Sequence, residues 1–62
     1  MFQVAWDNGH SAGVFAAVYP SEAAAAAAGR EWKAFMVSVE TTPAGRREAG
    51  AAYQWEVVEA AA

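Results

Sequence analysis

Leucine, isoleucine and cysteine are all absent from this 62-residue chain. The first two absences remove the aliphatic side chains that fill cores most readily. The third removes disulfides and thiolate metal sites, the staples on which small folds often depend. Of the hydrophobic residues, 18 are alanine and the other 17 are Val, Met, Phe, Trp and Tyr, so aromatic rings must supply most of the core. A chain this short buries only about 60 % of the surface its unfolded form exposes. Residues 1–62 therefore make one small domain that stands on packing alone or on a partner, with no room for a roomy catalytic cleft.

The run Ala23 to Ala28 is too short and too weakly apolar to span a bilayer, and Glu22, Arg30, Glu31 and Lys33 flank it. The segment Met1 to Asp7 lacks the basic start and sustained apolar stretch of a secretory signal, so the expected location is the cytoplasm. A formal charge of -3, with only four basic residues, disfavours direct contact with nucleic acid, which is held by clustered Lys and Arg. A basic or neutral protein partner suits the chain better.

Phe2, Val4 and Trp6 alternate with Gln3, Ala5 and Asp7, the period of a strand with one buried face, and Asp7-Asn8-Gly9 signals a turn. The returning arm, Ala12 to Tyr19, places Val14, Ala16 and Val18 on one face and Phe15, Ala17 and Tyr19 on the other. Pro20 ends it, Ser21 caps a helix and Glu22 suits the positive end of the helix dipole. Trp32, Phe35, Met36 and Val39, continued upstream by Ala25 and Ala28, form the stripe expected to pack on the sheet. Gly29 costs about 1 kcal/mol relative to Ala in a helix interior, so it relieves crowding or marks a bend.

Val37-Ser38-Val39-Glu40 reads as helix or as a short strand, with helix to about Glu40 preferred because the stripe would otherwise be cut; residues 37 to 50 stay open between the two. Pro43 stops the helix in either case, and Pro43 to Ala52 reads as a turn leading into a short, weakly amphipathic helical segment. Tyr53, Trp55 and Val57 alternate with Gln54, Glu56 and Val58 as a closing strand, after which Ala60 to Ala62 are expected to fray. The fold expected is α+β, a two-layer arrangement of a three-stranded antiparallel sheet packed against one long helix, in the order ββα(α)β.

His10 reads as a polar turn residue. No cysteine or second histidine completes a metal set, and no cofactor motif is present. Ser11, Ser21 and Ser38 are explained by a turn, a cap and a helix face, so no catalytic residue is assigned. The glycines around Asn8 belong to a hairpin, with no following lysine or helix to make a phosphate cradle. Arg46-Arg47 reads as a solvated pair. Trp6, Trp32 and Trp55 each fall on the apolar face of their element, with at least one expected to be partly exposed. A second apolar row, Phe15, Ala17 and Tyr19, would leave aromatics facing solvent and signals an interaction surface or a dimer interface. The remaining candidates are carboxylates. Asp7, Glu31, Glu40, Glu48, Glu56 and Glu59 are the expected partner-binding set, since carboxylates on a rigid scaffold can imitate spaced phosphates and occupy a basic groove. Composition and motifs carry the reading as far as a small acidic binding domain.

The acidic, alanine-rich, cysteine-free chain, with its aromatic hairpin, its helix through Gly29-Arg30-Glu31-Trp32-Lys33 and its closing Tyr53-Gln54-Trp55-Glu56-Val57-Val58-Glu59, resembles the small phage-encoded anti-CRISPR proteins, the type I-C inhibitors among them. The resemblance rests on length and style and covers the whole chain without a short diagnostic motif. It implies a stoichiometric inhibitor, not an enzyme, that binds Cascade protein subunits of a type I surveillance complex in the host bacterial cell and prevents recognition of target DNA. It carries no residue map, so the acidic set remains an inference from the residues. The alternative is an antitoxin-like or structural dimerisation module without inhibitory activity, and the oligomeric state expected is a monomer or weak homodimer.

Overall fold

A computed structural model of the chain describes residues 1–60. Alternating apolar residues at Phe2, Val4 and Trp6 build β1 (Phe2–Asp7), which lies in the middle of a three-stranded antiparallel sheet between β2 (Ala12–Val14) and β3 (Gln54–Glu59). The chain order is β1, β2, α1 (Glu22–Ser38), α2 (Pro43–Ala52), β3. This is the α+β arrangement the periodicities predict, with the second helix in place.

Sequence chemistry accounts for each boundary. In the first turn Asn8 Oδ1 accepts the backbone N–H groups of His10 and Ser11 at 2.9 and 2.8 Å, Asp7 Oδ1 accepts that of Gly9 at 2.7 Å, and Gly9 takes a φ of +89° that other residues resist. Ser21 caps α1, its Oγ accepting the Ala24 N–H at 3.1 Å. Thr42 caps α2 in the same way, accepting from Gly45 N–H at 3.0 Å, with Pro43 in the first helical position, where its missing N–H costs nothing. The stretch left open between helix and strand is helical to Ser38, turns through Val39 and Glu40, and is helical again from Pro43. Tyr53 belongs to this boundary and not to the closing strand: its N–H donates to the Ala49 carbonyl at 2.8 Å, ending α2.

The returning arm departs from the expected strand over Ala12 to Tyr19. It pairs with β1 only from Ala12 to Val14, and pairing resumes as a lone bridge between Tyr19 and Phe2. Between these points residues 15–18 face residues 3–4, so the arm carries two residues more than its partner and swells into a bulge. The bulge is held by the Phe15 N–H donating to the Val4 carbonyl at 2.9 Å and by Gln3 Nε2 donating to the Phe15 carbonyl at 3.2 Å. The expected solvent-facing row of Phe15, Ala17 and Tyr19 therefore does not form as one strand face, although Phe15, 36 % exposed, and Ala17 both still reach solvent. Phe15 turns its ring against Trp6 and Trp32 on the helix side, and Tyr19 is half-buried beside Phe2.

The helix stripe also needs correction. The line that meets the sheet runs through Ala25, Gly29, Trp32 and Met36, whereas Phe35 and Val39 are 64 % and 54 % exposed. The reason is where α1 rests: it packs on β1, β3 and α2, so the flank carrying Phe35 is left uncovered, and Val39 already lies in the turn beyond the last helical residue. Ala25 is fully buried, Ala49 of α2 nearly so, and Val4 is the one side chain larger than alanine that is fully buried among the described residues.

Gly29 relieves crowding. A β-carbon there would lie 2.5 Å from Trp55 Cδ2 and 3.0 Å from Cε2, so the Trp55 indole occupies the space a side chain would need and packs directly on the helix backbone. Gly13 does the same on a smaller scale beneath Trp6, where an added β-carbon would meet the ring at 3.0 Å. Of the terminal residues expected to fray, Ala60 is held, its N–H donating to the Met1 carbonyl at 2.9 Å, while Ala61 and Ala62 lie outside the described residues.

Two glycine-to-alanine changes should move stability in opposite directions. Gly50 lies in α2, where a β-carbon meets nothing within 4 Å, so Gly50→Ala should stabilise the fold through helix propensity alone. The gain is up to about 1 kcal/mol, up to about 8 °C in Tm for a domain of this size. Gly29→Ala gains the same propensity but collides with Trp55, and a net loss of about 1–3 kcal/mol is expected in thermal or urea unfolding.

Candidate functional site

Strand alternation decides which side chains the sheet leaves open. The register sets Trp6 opposite Trp55 and Val4 opposite Val57, and these residues face α1. Gln3 opposite Val58, Ala5 opposite Glu56 and Asp7 opposite Gln54 consequently face the other way, joined by Ala12 and Val14 of β2. Met1, 67 % exposed, continues this face beyond the end of β1. Neither helix lines it. An open hollow of 360 Å³ lies over its turn end, with Ala5, Asp7, Ala12, Gln54 and Glu56 among its lining residues.

The open face is thus apolar and anionic together. Val14 is 52 % exposed and Val58 half-buried, and the charged residues whose side chains lie on this face are Asp7 and Glu56. Opposite Ala5, Glu56 sits two positions along from the residue that faces Asp7, which makes the two carboxylates diagonal cross-strand neighbours. The other members of the acidic set lie elsewhere. Glu59 stands opposite Phe2 and on the helix side of the sheet, Glu31 is exposed on α1, Glu48 is exposed on α2, and Glu40 is half-buried in the turn between the helices. Asp7 and Glu56 are the pair brought to one surface. Asp7 has a structural duty as well, since its Oδ1 accepts the Gly9 N–H.

Across the sheet the aromatic residues gather. Trp32 is their centre, with ring centroids 5.6 Å from Phe15, 5.6 Å from Tyr53 and 6.5 Å from Trp6; the Phe15 and Tyr53 contacts are edge-to-face, a favourable arrangement for ring quadrupoles. A small cleft of 160 Å³ opens among Trp6, Phe15, Trp32, Met36 and Tyr53, with Asn8 at its polar margin. All three tryptophans are half-buried, in keeping with a core that cannot enclose its largest rings. Reading for charged and aromatic candidates misses Gln54, Val58, Ala12 and Asn8 as surface formers. The signal for Gln54 and Val58 is in the closing strand, where they share the parity of Glu56; the place of Asn8 beside the rings has no signal in the sequence.

His10 is exposed in the turn, and Arg46 and Arg47 are exposed in the first half of α2. Among the described residues no group of three or more His, Cys, Asp or Glu is placed to hold a metal ion, and no helix is long and apolar enough to cross a membrane. Comparison with protein-family models, curated proteins and solved structures finds no match to this chain.

The ring cluster predicts a sharp contrast between two neighbours on α1. Trp32→Ala removes the ring that touches Trp6, Phe15 and Tyr53 and should cost about 3–5 kcal/mol, with loss of the near-ultraviolet circular dichroism of the packed aromatics. Phe35→Ala, at an exposed position, should change unfolding by no more than about 0.5 kcal/mol.

Proposed function

We infer that this chain acts by occupancy and not by catalysis, as an anti-CRISPR-like stoichiometric inhibitor that binds Cascade protein subunits of a type I surveillance complex and keeps target DNA from being recognised. The observation that carries this reading is the open sheet face, on which Asp7 and Glu56 stand as diagonal neighbours with Val14 and Val58 on the same face and no lysine or arginine side chain on it. Such a face complements a protein surface that is basic and partly apolar, the character of a groove built to hold a nucleic-acid backbone. The resemblance of the sequence to small phage-encoded inhibitors supports the choice of target. The proposed mechanism is competitive: carboxylates take places that phosphates would occupy, and the apolar residues around them supply the contact area. Binding takes place in the host cytoplasm, without cofactor or direct contact to nucleic acid.

Within this reading the shared face of Asp7 and Glu56 supports a smaller binding set. Asp7 and Glu56 are the partner contacts, whereas Glu31, Glu40, Glu48 and Glu59 contribute through the overall negative potential, which steers the encounter more than it holds the complex. The second reading, an antitoxin-like or structural dimerisation module, is favoured by the exposed Phe35, Val39 and Val18, a share of apolar surface that a small domain does not need for its own fold.

The test is a binding experiment with reconstituted type I-C and I-F surveillance complexes, followed by competition with target DNA at two salt concentrations. The Asp7→Lys, Glu56→Lys double variant should weaken binding about tenfold or more at low salt and less at high salt, from charge pairs of about 0.5–1 kcal/mol each and the reversal of sign. Glu31→Lys and Glu48→Lys together should change it by no more than about twofold. Equal effects of the two double variants would sink the sheet-face version, and no binding to either complex would sink the inhibitor reading.

A further inference from the structure

The two edges of the sheet are not alike. At the β2 edge, pairing with β1 covers three residues and then breaks into the bulge at residues 15–18, a device that closes an edge to further strands. β3 forms the other edge and runs for six residues, Gln54–Glu59, without bulge, proline, glycine or cation.

The ladder shows which backbone groups of β3 are already used. Phe2 exchanges hydrogen bonds with Tyr19 at 2.8 and 2.7 Å and the Val4 carbonyl accepts from Phe15, so the even residues of β1 bond toward the returning arm; the Met1 carbonyl, on the opposite side, accepts from Ala60. Bonding direction alternates along an antiparallel strand. The odd residues of β1 therefore bond to β3, and the register makes their partners Gln54, Glu56, Val58 and Ala60. The N–H and C=O groups of Trp55, Val57 and Glu59 point away from the sheet, and among the described residues they bond to no other backbone or side-chain group.

We propose that this edge pairs with β3 of a second copy of the chain, antiparallel about a twofold axis at Val57, to join two three-stranded sheets into one of six strands. The strand's own sequence selects the register. Outward groups must meet outward groups, so the axis falls on a residue, and the choice of residue sets the charges. With the axis at Glu56, the two Glu56 side chains would face each other in a close pair, which like charges oppose. With the axis at Val58, Gln54 and Trp55 would have no partner among the described residues. At Val57 the whole of residues 54–60 is matched and every glutamate stands directly opposite an uncharged residue: Glu56 opposite Val58 of the second copy, which leaves the two Glu56 side chains as a diagonal pair and not a direct one, and Glu59 opposite Trp55. Each outward residue both donates and accepts, so the junction forms about six backbone hydrogen bonds. The closing strand is thereby self-complementary in the sense a twofold interface requires. This pairing needs no other protein, and it extends the open face so that Asp7 and Glu56 are presented twice on one surface.

The mass of the purified chain in sedimentation or native mass spectrometry, followed over a concentration series, tests the proposal. The expected result is a concentration-dependent species of twice the 6.5 kDa protomer. Val58 provides a register-specific probe. Val58→Glu sets a carboxylate opposite Glu56 of the second copy and should raise the dimer dissociation constant about threefold or more, whereas Val58→Lys should leave it unchanged or lower it by a similar factor. Val57→Pro deletes one outward N–H and no bond within the protomer, a change that edge strands tolerate, and should give a monomer whose far-ultraviolet circular dichroism keeps its strand signal. A monomer mass at every concentration, equal shifts from the two Val58 variants, or a dimer that survives Val57→Pro in a folded chain would each overturn it. Should the Val57→Pro chain not fold, the Val58 pair decides. A monomeric chain that still binds a surveillance complex would refute this pairing and leave the inhibitor reading standing.

Discussion

The indole of Trp55 lies against the backbone of α1 at Gly29, in the space where any other residue would carry its β-carbon. This contact sets how close the helix can come to the sheet, and the remaining contacts follow from it. With the backbones near one another at Ala25 and Gly29, a core without leucine or isoleucine closes over Val4, which on its own supplies about 1.5–3 kcal/mol of burial. Farther along α1 the helix reaches Trp32, whose ring meets Trp6, Phe15 and Tyr53. Small residues at one end and large rings at the other fill one interface, and one glycine lets both be satisfied together.

The same economy leaves surfaces unfinished. A sheet of three strands, with one helix on one side, has a whole face with nothing on it, and an edge whose backbone is only half used. Here the uncovered face collects the only two carboxylates of the acidic set that stand together, and the edge presents a strand able to pair with its own copy. The open face and the free edge are therefore consequences of a sheet covered on one side, and they are the surfaces on which the proposed contacts rest.

Most of the fold is legible in the residues because its signals are local. Alternation at Phe2–Asp7 and again around Trp55–Val57, the Asp7-Asn8-Gly9 turn, the Ser21 cap, the Pro43 break and the alanine run each act within a few positions. What is not legible depends on contacts far apart in the chain. The stripe through Phe35 and Val39 has good helical spacing, yet α1 rests toward β3 and α2 and leaves that flank exposed, a choice made by Trp55 and Gly29 from different elements. The bulge after Val14 likewise follows from where Tyr19 must meet Phe2 and not from any breaker between them. For the candidate site, parity along β3 reveals that Gln54, Glu56 and Val58 share a face. That Asp7 joins Glu56 there while Glu59 does not requires the register of β1 against β3, which no local pattern encodes.

The position of β1 at the centre of the sheet has a kinetic consequence. Its pairing with β2 joins neighbours in sequence, but its pairing with β3 joins Phe2 to Glu59, across nearly the whole chain. The hairpin and the alanine-rich helix are able to form from local contacts on the microsecond scale, whereas β3 must wait for a large loop to close. Arrival of β3 is also the event that seats Trp55 on Gly29, so the barrier to folding and the completion of the core fall on the same step. For so short a chain this is a topology of high contact order, and its folding time is set by the meeting of its first and last strands and not by the ease with which its helices form.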